Sequence, residues 1–177
     1  QYCNPYDWWF YGPVDYRGIT SAYIGVQWWQ SAPYNSCTAF IPGTTTRSPA
    51  GCYSVAVGQV MTYHKKPVKY DWARLTATPS ISIYDSYGSQ AVGQLLADIG
   101  NAAYINNGAV GLGNMAPGIA AMGYTVERVE LGTSDQPPLI LEEIEQKRPV
   151  IISGRTGNGP GLGAGHVWAI DAVLVQE

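Results

Sequence analysis

The chain has 177 residues, 46% of them hydrophobic and only 13% charged, with a formal net charge of -3. That is enough chain for one domain with a substantial core, and its few scattered Lys and Arg form no basic stripe of the kind that binds nucleic acid. No apolar stretch approaches the roughly 18 residues of a membrane span, and the cysteines and histidines lack the paired spacing of a zinc site. There are 13 Tyr and 6 Trp against 2 Phe. Such rings join a large apolar body to a polar tip and suit wet clefts. Low charge with abundant Tyr, Asn, Gly and Thr points to a secreted or extracytoplasmic protein. Three cysteines leave one over if two pair, and Cys3 and Cys37, both in polar turn-like surroundings, are the candidate disulfide.

Residues 1–47 are rich in aromatics, Pro and Gly and show little helical period, which predicts short irregular strands and loops. The run YDWWFYG, 6–12, reads as packing, with a sugar-binding surface as the lesser alternative. From Gly51 the pattern changes: apolar side chains at 52, 55, 56, 60 and 63 follow a helical period. Ser48 and Pro49 supply start signals and Pro67 a stop, so a helix of three to four turns is predicted here. A second helix is predicted over 89–105, capped by Ser89 and burying Leu95, Leu96 and Ile99. A short third spans 114–123 and ends at Gly123. YTVERVEL, 124–131, alternates as a strand does, and LILEEIEQKR, 139–148, reads as an amphipathic helix. PVIISG, 149–154, is an apolar run suited to a buried strand. A glycine-rich stretch follows, then a further strand over 166–175. The order is that of an α+β chain with its strands late, folded as one domain over 1–177.

Two reactive side chains lie close together in sequence, Cys52 and His64. Twelve helical residues separate them by about 18 Å, whereas a thiol and its base must approach to about 3 Å. His64 therefore reads as a residue of the helix's last turn, where it joins Lys65 and Lys66 at the negative end of the dipole. Cys52 lies in the first turn, where unpaired N–H groups and the positive dipole favour the thiolate. Gly51 before it lets the chain enter tightly and leaves room for a substrate backbone. Position alone leaves a second reading open, a small apolar residue filling core space. The other histidine, His166, opens the last strand. Trp168 and Ile170 share its face, while Asp171 lies an odd number of residues away and points to the other side; an ordinary strand-edge histidine is the alternative here. A Cys at a helix start, followed 114 residues later by a His on a strand, is the papain-like layout, in which helix and sheet face each other across a cleft.

The words themselves narrow this further. AGCYSVAVGQVMTYHKKP followed by YDW resembles the active-site helix of the streptopain family of secreted bacterial cysteine peptidases, matching at Gly51, Cys52, Ala56, Gln59, Val60, Met61, Tyr63, His64 and Pro67. WWQSAPYN, 28–35, resembles the family's segment ahead of the cysteine, LLADIG, 95–100, one of its helices, and AGHVWAIDAV, 164–173, its histidine strand. The resemblance implies a papain-like cysteine peptidase fold, with helices packed against a late antiparallel sheet and the active-site cleft between them. It implies Cys52 as nucleophile, His166 as general base and later acid, and Gln30 as a side-chain donor to the oxyanion hole beside the backbone N–H of Cys52. It implies no cofactor and no metal, a protein or peptide as substrate, and a propeptide or inhibitor as partner. The family's H-V-N-W-G-W-G-G segment, source of an Asn that orients the imidazole and a shielding Trp, has no counterpart within the 177 residues, nor has its propeptide. A papain-like module that has lost activity and binds a protein or glycan is therefore the alternative function. GPGLGA, 159–164, matches a dinucleotide fingerprint in letters, but the fingerprint must open a helix, and here a strand follows; a mobile loop bordering the cleft is the expectation.

Overall fold

The computed structural model describes residues 16–19, 22–105, 109–129, 136–155 and 165–176. In chain order the elements are β1 (Tyr16–Ile19), α1 (Cys52–His64), α2 (Trp72–Leu75), α3 (Ser86–Ala102), α4 (Leu112–Ala121), α5 (Gln136–Glu145), β2 (Val150–Arg155), β3 (Gly165–Ile170) and β4 (Leu174–Gln176). The helices precede the late antiparallel strands, as the α+β reading requires. β2 and β3 pair antiparallel with Val150 opposite Ile170 and Gly154 opposite His166. β4 pairs antiparallel with β1 instead, Gln176 opposite Tyr16 and Leu174 opposite Ile19.

α1 is the centre of the fold. Nine of its 13 residues are buried, from Tyr53 through Thr62, because α3 packs on one side of it and β3 on another. A helix covered this way is apolar nearly all round rather than on one stripe, which is why its text reads VAVGQVM. Gly58 permits the closest approach: a Cβ there would stand 2.7 Å from Leu96 Cδ2 and 3.2 Å from Trp28 Cζ3. The predicted stripe of the second helix, Leu95, Leu96 and Ile99, is fully buried.

α1 begins at Cys52, as its apolar spacing indicates, with Gly51 as its cap; Ser48 ahead of it is buried and donates its N–H to the Ala39 carbonyl. Other boundaries move, each for a local reason. α3 starts three residues before Ser89 because Asp85 caps it, its carboxylate accepting from Gly88 N–H at 3.0 Å. The strand expected over 124–131 is not formed in its described part, 124–129. Its alternation reflects a chain half covered by neighbours, with Tyr124 donating its hydroxyl to the Lys66 carbonyl; among the described residues no strand forms a ladder with it. The last strand is broken at 171–173, so that β3 and β4 lie in different sheets. At the break the Asp171 carboxylate accepts the backbone N–H groups of Tyr23 at 2.7 Å and Ile24 at 2.5 Å.

Candidate active site

Gly51 enters α1 at φ 88° and ψ 139°, a conformation open to glycine and strained for other residues. Its carbonyl accepts the first bond of the helix, from Val55 N–H at 3.1 Å. Cys52 is then the first helical residue, so its own N–H has no acceptor within the helix. Its thiol is free and half-buried at the edge of the core. The backbone thus delivers a thiol and an unpaired donor together at the positive end of a buried helix.

Gln30 reaches this point by a different route. Residues 22–29 lie in no helix or strand, and side-chain and loop contacts set their path. Besides the Asp171 clamp, Gln59 on α1 donates its amide to the Val26 carbonyl at 3.1 Å, and Gln27 N–H bonds Pro79 O at 2.7 Å. Trp28 is buried against Gly58. The Gln30 carbonyl accepts Ala50 N–H at 2.8 Å, which brings Gln30 alongside the chain two residues before Cys52.

His166 is exposed on β3, opposite Gly154. The strand alternates as expected: Val167 is buried in the core that contains Val55 and Ala56, while His166 and Trp168 share the outer face. The two rings stack at 5.6 Å with 22° between their planes. β3 packs on α1, so the histidine strand and the cysteine helix are neighbours. Among the described residues no hydrogen bond joins the His166 ring to the Cys52 thiol. Such bonds commonly tighten only when substrate is present.

His64 ends α1, at the far end from Cys52. Its ring meets Tyr63 at 5.1 Å and Tyr124 at 5.8 Å. Burial against these rings, and then the Lys66 charge, lowers its pKa. His64 is thus the last-turn helix residue that the sequence predicts, with Lys65 and Lys66 following it at the negative end of the dipole. Near this end lies an open pocket of about 290 Å³ lined by Tyr23, Val26, Thr62, Tyr63, Lys65 and Thr76, among others; it is remote from the thiol and holds none of the candidate catalytic residues. Cys37 has a free thiol. Its suggested partner Cys3, the aromatic run 6–12 and the glycine-rich stretch 156–164 lie outside the described residues.

Sequence reasoning did not assign the anchors Gln59, Asn35 and Asp171. Gln59 and Asn35 stood inside segments already singled out, but their hydrogen-bond partners are distant or loop carbonyls that no spacing rule reveals. Asp98 of LLADIG is another such anchor, accepting from Tyr70 Oη at 2.7 Å and from Lys69 Nζ at 3.1 Å.

Residues 28–70 match the model of the Peptidase C10 family, a stretch that holds Gln30, Gly51 and Cys52. A search of the curated proteins finds no match. Among solved structures, the active wild-type interpain A cysteine protease of Prevotella intermedia superimposes with a TM-score of 0.73 at 24% identity, covering 89% of this chain and 78% of that one. A prointerpain A fragment from the same organism superimposes with a TM-score of 0.68 at 23% identity, over 89% of this chain and 59% of that one. The fold is accordingly the papain-like α+β fold, and residues 28–70, which include α1, are similar to the Peptidase C10 family.

Proposed function

We propose that this chain, with a C10 peptidase segment set in a papain-like fold, is a secreted cysteine endopeptidase working through Cys52 and His166. The observation that supports the reading most is the placement of Cys52 as first residue of a buried helix, with Gln30 bonded to the chain just before Cys52 and the strand that carries His166 packed on the same helix. The Cys52 thiolate attacks the scissile carbonyl carbon, and the carbonyl π electrons move to oxygen. The resulting oxyanion is met by the Gln30 side-chain N–H and the Cys52 backbone N–H. The His166 imidazolium gives its proton to the departing amine as the C–N bond breaks, leaving an acyl-thioester on Cys52. Neutral His166 then takes a proton from water, whose oxygen attacks the thioester and releases the carboxylic acid and the thiolate. A protein or peptide is the substrate, and a propeptide or protein inhibitor is the partner class that such a cleft accepts. The low charge and Tyr-rich composition support a place outside the cytoplasm.

Iodoacetamide or an epoxide inhibitor at pH 6 to 7, with the labelled peptide mapped by mass spectrometry, tests this. Cys52 is labelled first and fastest, and His166→Ala slows the reaction strongly. An unchanged rate in His166→Ala would sink the pair and leave the reading of a papain-like binding module.

A further inference from the structure

We propose that Asn35 is a positioning residue for the oxyanion hole, holding Gln30 in place against the loop that leads into Cys52; this rests on the roles given above to Gln30 and Cys52. Residues 30–39 and 47–50 run side by side without a regular ladder. Turns shape the first of these segments, with Tyr34 N–H on Ser31 O at 3.0 Å and Ser36 N–H on Pro33 O at 3.2 Å. The separation between Gln30 and Cys52 is therefore set by a few individual bonds. At one end Ala50 N–H meets the Gln30 carbonyl at 2.8 Å. At the other the Asn35 Nδ2 amide donates to the Ser48 carbonyl at 3.2 Å and to the Arg47 carbonyl at 3.4 Å. Thr38 adds its hydroxyl to the same Ser48 carbonyl at 2.6 Å.

The stretch between these anchors and the nucleophile has little else to hold it. Pro49 has no N–H to give, the Ala50 N–H is already on Gln30, and Gly51 is conformationally free. A carboxamide is the suitable group at position 35 because one NH2 supplies two donors to two neighbouring carbonyls. A carboxylate there would set oxygen against oxygen. Without Asn35 the 47–50 loop loses its side-chain tie on the Arg47 carbonyl and one of two on the Ser48 carbonyl, keeping the Ser48 N–H bond to the Ala39 carbonyl at 2.8 Å; on this proposal the Gln30 side chain then shifts relative to the Cys52 N–H.

A peptide aldehyde, whose adduct with Cys52 develops an oxyanion, reports on this placement, and iodoacetamide, which makes none, is the control. Asn35→Ala should weaken aldehyde binding and lower kcat by about 10-fold or more, the scale on which small misplacements act. KM and the alkylation rate should stay within about 2-fold, as expected when only transition-state contacts are lost. In a Gln30→Ala background Asn35→Ala should add almost nothing, since the group it positions has gone. Thr38→Val, nearly the same shape, should act in the same direction more weakly and guards against loss of fold. Aldehyde affinity in Asn35→Ala equal to wild type, or an equal loss with and without Gln30, would overturn the proposal. If Gln30→Ala itself leaves aldehyde affinity unchanged, the oxyanion reading fails, and the role of Asn35 falls with it.

Discussion

Cys52 and His64 are the first and last residues of one 13-residue helix, α1. Twelve rises of 1.5 Å hold them about 18 Å apart, and the burial of α1 on several sides keeps it from bending to bring them together. His64→Ala should therefore leave the alkylation rate of Cys52 within about 2-fold, whereas His166→Ala should slow it by about 10-fold or more, in line with the contribution of a positioned base. Stopped alkylation time courses on both variants at pH 6.5 measure the difference.

In the proposed mechanism Gln30 acts through its side chain, while its carbonyl is already engaged with the Ala50 N–H. On that reading Gln30→Ala removes one oxyanion donor and leaves the backbone bond in place. The expected result is a fall in kcat of about 100- to 1000-fold with KM little changed, read from steady-state hydrolysis of a fluorogenic peptide.

Gly58 is where α1 meets both α3 and the segment that carries Gln30. A methyl group there would lie 2.7 Å from Leu96 Cδ2 and 3.2 Å from Trp28 Cζ3, and both side chains are buried with no room to retreat. Gly58→Ala should destabilise the protein by about 1–3 kcal/mol through overpacking, despite the better helix propensity of Ala. A thermal melt should show the midpoint falling by several degrees, and displacement of Trp28 should lower activity per folded molecule.

Asp98 links stability to pH. Burial, the largest influence, pushes its pKa up, but hydrogen bonds from Tyr70, Gln94 and Lys69 outweigh it and hold the carboxyl below its ordinary range. A folded-state pKa below the unfolded value means that the stabilisation is complete above the unfolded pKa of about 3.9 and is lost as pH falls through the folded value. Asp98→Asn should thus cost about 1 kcal/mol at pH 7, because the bonds from Lys69 and Gln94 are exposed and screened by solvent. The gap between variant and wild type should begin to narrow below about pH 4 and close once pH falls below the folded-state value. Urea unfolding midpoints at pH 7 and pH 3 give both numbers.

The helices were legible because their signals are local. Apolar spacing located α1 and the stripe Leu95, Leu96 and Ile99, while α3, α4 and α5 each lie two to three residues earlier than expected, with Asp85 rather than Ser89 capping α3. The segment 124–129 shows the limit of the same method. A period of two reports which side chains are covered, and whether a ladder forms depends on a partner strand elsewhere in the sequence.

The order of residues alone determined that Cys52 stands at a helix start, that His64 cannot reach it, and that His166 shares a strand face with Trp168. Each of these follows from rise and period along one element. Only the tertiary structure decided that Asp171 clamps Tyr23 and Ile24 from 148 and 147 residues away. The same holds for the packing of the His64 ring beside Tyr63 and Tyr124, and for Gln30 being held by the Ala50 N–H with Asn35 tying down the loop beside it. These are contacts between single side chains and backbone groups of segments without regular structure, where no repeating geometry carries the information along the chain.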